Sequence, residues 1–218
     1  MPKKENFDST HFRVAIFGSA RIKRHDPRYN TVFTLAKMIA QSNMDIVTGG
    51  GPGLMDAASR GHHTGRKGNH LHTLGLKIHL PKEQKDSYHL DIKREFYKFS
   101  DRLDNFMRLC DAVVVAPGGI GTHLELFYTW QLVQVHEICE TPIILLGKHW
   151  EGLINWIKKE VLSKKLMSKE DLDFIFVARN PREAMTILRK MQQDTIKNKH
   201  ICRNFLEYKK TLKSKKKK

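Results

Sequence analysis

Cysteine is scarce in this chain of 218 residues: Cys110, Cys139 and Cys202 are few, odd in number and widely spaced. That spacing builds neither a disulfide frame nor a zinc site and is expected of reduced thiols in a cytoplasmic protein. No apolar run approaches the roughly 20 residues a membrane span requires, so no membrane association is expected. The opening MPKKENFDSTHF carries lysines but no apolar core, so no secretory signal is expected. Acid is lacking at the other end. The last ten residues, KKTLKSKKKK, hold seven lysines and no carboxylate, a large part of the net charge of +16. Such a stretch repels itself and buries no apolar surface, which predicts a disordered tail over 197–218. It could hold nucleic acid loosely. Stacking aromatics and a nucleic-acid motif are missing, so nucleic acid is expected only through that tail.

What remains suits one soluble globular domain. Apolar residues make up 40% of the chain and charged residues 28%. Residues 1–12 read as a flexible N-terminus, 13–196 as the domain and 197–218 as the tail. Apolar β-branched runs alternate with segments of helical period. Strands are expected at 13–17, 45–47, 74–80, 112–115, 143–146 and 174–178. Helices are expected at 31–42, from 54, and at 99–110, 121–136, 150–161 and 182–194. Residues 82–97 read as loop. This order predicts an α/β fold, a Rossmann-like doubly wound parallel sheet with helices on both faces. Such sheets bind ligands at the carboxyl ends of their strands.

Three expected strands end in glycine-bearing turns: Gly18-Ser19, Gly49 to Gly53, and Pro117 to Thr122. None is a familiar nucleotide loop. Gly119-x-Gly121-x-x-Leu124 and Gly51-x-Gly53-x-x-Asp56 lack the third glycine of the dinucleotide fingerprint, and no Gly-Lys-Ser/Thr follows either turn. The elements of an anion site are nevertheless present. Gly118, Gly119 and Gly121 allow close backbone approach, and the following helix offers free N–H groups and a positive dipole end. Thr122 adds a hydroxyl. A monophosphate is the economical ligand, since nothing suggests magnesium ligands for a triphosphate.

Glu125 has two readings. Thr122-x-x-Glu125 matches a capping box, in which Glu satisfies the N-cap amide. Alternatively, the carboxylate faces a sugar, orients water and stabilises positive charge developing on a ribose ring, as N-glycosidic cleavage requires. The histidines between His62 and His89 show no helical His-x-x-x-His pair, so neither a metal site nor a cofactor is expected.

Pro117-Gly118-Gly119-x-Gly121-Thr122-x-x-Glu125 resembles the PGGxGTxxE signature of the Lonely Guy family, whose members are often labelled lysine decarboxylases. Gly18-Ser19-Ala20-Arg21 resembles the family's first turn, and Thr48-Gly49-Gly50-Gly51-Pro52-Gly53-Leu54-Met55 its second. Arg102, fifteen residues before Pro117, falls at the family's arginine. The resemblance covers about residues 13–190. It implies a Rossmann-like fold, a homodimer or larger assembly, and hydrolysis of a nucleoside 5′-monophosphate to free base and ribose 5-phosphate. It also implies Arg102 and Glu125 as the catalytic pair. Gly18, Ser19, Gly49, Gly50, Gly51, Gly53, Met55, Pro117, Gly118, Gly119, Gly121 and Thr122 would then contact substrate. Glu83, after Pro81, either approaches the ligand or is an exposed loop carboxylate. Two other readings stay open: a nucleotide-binding protein without catalysis, and a basic nucleic-acid-binding protein. One departure bears on the first of them, for Leu103 stands where the family usually has lysine.

Overall fold

The structure is a computed structural model and describes residues 11–68, 70–79, 87, 89–138 and 141–197. Glu83, Cys139, Cys202 and nearly all of both expected flexible ends lie outside these residues. The chain divides into two compact units. One is Met1–Ile16 with Ala20–Asp111, the other Phe17–Ser19 with Ala112–Lys218.

The first unit holds β1 (Phe12–Phe17, its last residue belonging to the second unit), β2 (Met44–Thr48), β3 (Thr73–Ile78) and β4 (Ile92–Phe96). The pairs β1–β2, β2–β3 and β3–β4 are all parallel. β1 begins at the buried Phe12, one residue inside the stretch expected to be flexible. β4 replaces part of the loop expected over 82–97. Its sequence, Ile92-Lys93-Arg94-Glu95-Phe96, is short and charged, as suits an edge strand that must not pair further. Asp91 fixes its entry. The carboxylate accepts from Thr73 N at 2.7 Å and pairs with Arg66 at 2.8 Å.

Three helices belong to this unit: α1 (Pro27–Ala40), α2 (Leu54–Gly65) and α3 (Phe99–Leu109). α1 starts four residues before its expected start. The Asp26 side chain caps it by accepting from Arg28 N, with Pro27 in the first turn, a start signal the apolar period does not carry. α1 and α2 pack closely through small residues. A Cβ on Gly61 would lie 2.1 Å from Phe33 O, and one on Gly65 2.3 Å from Lys37 O. On the same helix His62 is fully buried, with Nε2 donating to Met44 O at 2.9 Å and Nδ1 2.8 Å from Thr73 Oγ1. Desolvation lowers its pKa from 6.5 to about 4.

The second unit holds β5 (Ala112–Val115), β6 (Ile143–Leu146) and β7 (Ile175–Ala178), again parallel. All residues of β5 and β6 are buried, the pattern of strands covered on both faces. α4 (Ile120–Gln134), α5 (Trp150–Trp156) and α6 (Pro181–Ile196) complete it, and α5 runs on as a π-helical stretch over Ile157–Leu162. The strand order β4-β3-β2-β1-β5-β6-β7 makes one seven-stranded sheet, flanked by the six helices. The order reverses at β1, as in Rossmann-like doubly wound folds. Among the described residues no helix is long and apolar enough to cross a membrane.

Candidate active site

In the second unit the first and third glycine turns meet. β1 and β5 end level, with Ala116 N donating to Phe17 O at 2.8 Å. One step further, Ser19 N donates to Pro117 O at 3.0 Å, joining Gly18-Ser19 to the turn that opens α4. Gly119 is the N-cap of α4, and no side chain caps it. The first-turn N–H groups of the helix therefore point outward with its positive dipole end.

The turn's three glycines differ. A Cβ on Gly118 would lie 2.0 Å from Thr122 Oγ1, so Thr122, itself buried, closes over Gly118 and requires its bareness. Gly119 and Gly121 would meet nothing within 4 Å. Their lack of side chain leaves open space beside free amides, which is the geometry an anion can use.

The capping-box reading of Thr122-x-x-Glu125 does not survive. α4 begins at Ile120, so Thr122 lies inside the first turn and the N-cap is Gly119. Glu125 therefore is not the third residue of a box. It is buried at 9% exposure, one turn further along the helix, and its carbonyl accepts from Thr129 Oγ1 at 2.8 Å.

The first unit carries the second glycine turn and Arg102. The turn is rigid. Gly50 N donates to Thr48 Oγ1 at 3.1 Å, and Gly50 O accepts from Ser87 N at 3.0 Å. Gly50 and Gly53 both have φ of +71°, a left-handed backbone that glycine adopts without strain. Gly51 is buried between them. Arg102, on α3, is 8% exposed. Its Nε donates to Leu76 O at 3.0 Å, and its guanidinium carbon sits 5.3 Å from the centre of the Phe106 ring. A Cβ on Gly49 would come within 3.0 Å of Arg102 Nη2 and 2.6 Å of Met55 Sδ. Thus Met55 and Arg102 both lie against Gly49, although more than fifty residues separate the glycine from the arginine. The guanidinium is a planar group of the shape that suits a carboxylate or phosphate.

The pattern of a family described as "Possible lysine decarboxylase" matches residues 55–188, which take in Met55, Arg102 and Pro117 to Glu125. The chain belongs to this family. It is the family that the PGGxGTxxE resemblance names Lonely Guy. Over 164 residues the chain is 27% identical to a cytokinin riboside 5′-monophosphate phosphoribohydrolase of Arabidopsis thaliana, covering 72% of this chain and 73% of that protein. Two solved structures share the fold. The molybdenum cofactor binding protein of Rippkaea orientalis has a TM-score of 0.60 at 18% identity, covering 83% of this chain and 97% of that one. The molybdenum cofactor carrier protein of Chlamydomonas reinhardtii has a TM-score of 0.59 at 18% identity, covering 83% and 98%.

Within this Lonely Guy chain, sequence reading passed over one polar network beside the second turn. Asp56 is buried at the start of α2, and its carboxylate accepts from Tyr29 Oη at 2.6 Å and Ser87 Oγ at 3.2 Å. Arg24 Nη2 lies 3.4 Å away. Burial, followed by the hydrogen bond to Asp56, raises the pKa of Tyr29. The available signal was Asp56 itself, an acid directly after the apolar Leu54-Met55 that opens a helix.

Proposed function

We propose that this chain hydrolyses the N-glycosidic bond of a nucleoside 5′-monophosphate. Water adds at C1′, the C1′–N bond breaks, and free base and ribose 5-phosphate leave. The observation that carries this reading is Glu125: a buried carboxylate one turn beyond an uncapped helix start, and not the third residue of a capping box. Membership of the Lonely Guy family and the phosphoribohydrolase named among its relatives support it.

In this reading the amides of Gly119 to Thr122 take the 5′-phosphate at the α4 N-terminus. Glu125 orients the water and stabilises the oxocarbenium-like ribose in the transition state. Arg102 clamps ribose or phosphate with its guanidinium. By the family resemblance, Gly18, Ser19 and Pro117 of the second unit and Gly49, Gly50, Gly51, Gly53 and Met55 of the first are the proposed substrate contacts. The reaction needs neither cofactor nor metal ion, since the charge it develops is met by these groups. AMP-like and cytokinin riboside monophosphates are the substrates to test.

The test is a panel of monophosphates incubated with wild type and Glu125→Gln, with free base read by chromatography. Wild type should release base from at least one. Glu125→Gln should lose at least about a hundredfold in turnover while stability stays within about 1 kcal/mol. No release from any common monophosphate overturns the reading. Saturable binding without turnover would instead favour a nucleotide-binding protein, the outcome to which Leu103, buried in place of the family lysine, points.

We also propose a homodimer that uses the outer face of α4. Ile120 is 87% exposed, Leu124 and Phe127 each 44%, and the three share one helical stripe. A groove of about 280 Å³ continues it between Phe127, Trp130, Trp156 and Leu166. Such a patch marks an interface, and the family resemblance implies a second copy as its occupant. Light scattering after size exclusion should show a dimer, and Phe127→Glu should shift it toward monomer.

A further inference from the structure

The first unit contains a cavity that shares only Gly53 with the residues proposed for the reaction. It measures about 410 Å³, within the range of small-ligand sites. No residue of Pro117–Glu125 lines it. Its outer wall is the short loop after the first glycine turn, from which Arg21, Lys23 and Arg24 line the cavity. All three are exposed. Ile22, between them, is 9% exposed and supplies an apolar patch. Pro52 and Gly53 also line it, and the buried Tyr29 and Asp56 make its floor.

The loop is held in shape. Asp26 N donates to Lys23 O at 3.0 Å, Tyr29 N to Asp26 O at 2.9 Å, and the Asp26 side chain caps α1. The floor carboxylate already receives Tyr29 Oη and Ser87 Oγ, with Arg24 at 3.4 Å. Among the described lining residues, basic side chains thus outnumber the one carboxylate, in a concave setting where field lines concentrate. A loop with three basic residues is often only a solvated surface. Here the loop stands beside an open cavity that also reaches a buried Tyr–Asp pair.

We infer that this cavity is a binding site for a small organic phosphate, distinct in its residues from the α4 turn. Arg21 and Lys23 would take the phosphate oxygens, Arg24 would bridge ligand and Asp56, and the Ile22 and Pro52 surfaces would cover the organic part. The inference stands on the cavity and its charges and does not rest on the hydrolase reading.

The probe is inorganic pyrophosphate, titrated calorimetrically into the full chain at physiological salt. The lysine tail and the α4 turn contribute the same background to every variant. Lys23→Glu reverses a charge at the cavity mouth on an exposed side chain. Lys148→Glu makes the same change in net charge on an exposed residue of the other unit. The expected result is a saturable site that Lys23→Glu weakens roughly tenfold or more and Lys148→Glu leaves alone. Equal weakening by both variants, or no saturable site sensitive to Lys23, overturns the inference. Base release from monophosphates is measured on the same samples. Lys23-dependent binding without base release removes the hydrolase reading and keeps this one; base release without Lys23-dependent binding does the reverse.

Discussion

Glu125 and His62 are both buried titratable side chains, yet they differ in kind. His62 is satisfied at both ring nitrogens by Met44 O and the Thr73 hydroxyl. It acts on stability, because folding holds its pKa at about 4, below its ordinary 6.5. Its neutral form is the one the folded state accommodates. The stabilisation is therefore full above about pH 6.5 and is lost as pH falls through about 4, up to roughly 3 kcal/mol in all. Urea unfolding at pH 7, 5 and 4 should show that decline, and His62→Gln should flatten it. Glu125 lies beyond the helix start and is not the third residue of a capping box. A change there is expected in turnover, not in unfolding.

At the scale of the element, α2 is fixed by what it lacks. Its glycines bring it against the α1 backbone, and Gly61→Ala would push a methyl to 2.1 Å from Phe33 O. The helices must separate, so a loss of about 1–3 kcal/mol is expected in equilibrium unfolding, against the gain of about 1 kcal/mol a Gly→Ala change brings in an open helix. Sequence reading reached most elements because their apolar period was strong: β5 and β6 lie where expected, and α4 differs by one or two residues. It failed where polar chemistry sets the boundary. α1 starts at an Asp-Pro cap with no apolar period, and β4 is an edge strand whose charged residues hide its alternation. The same distinction holds for the candidate site. The glycine turns and Glu125 were legible as a local string. The approach of Met55 and Arg102 to Gly49 was not, because it depends on α3 packing under β3. The Thr122-x-x-Glu125 spacing is ambiguous by itself, and the start of α4 at Ile120 places Thr122 inside the helix.

For the whole molecule the dominant quantity is charge. Thirty-nine lysines and arginines against twenty-three acids give +16, and the last ten residues hold seven of the lysines. Any affinity for nucleic acid should come from that tail. Deleting Lys209–Lys218 is expected to abolish binding to a short duplex and to flatten its salt dependence, read by fluorescence anisotropy at several salt concentrations. Base release should be unaffected, since none of the proposed site residues lies in the tail. Binding that survives the deletion would move the nucleic-acid contact onto the folded units.

Cys110 ends α3 with its side chain buried at 7% exposure. Burial, then the neighbouring Asp111, pushes its thiol pKa well above the ordinary value. The thiolate that reacts with alkylating reagents is thus withheld while the first unit stays closed. The residue becomes a natural clock: its labelling rate, resolved by peptide mass, counts how often that unit opens to solvent. Ligands that bind the first unit should slow the clock without touching the cysteine.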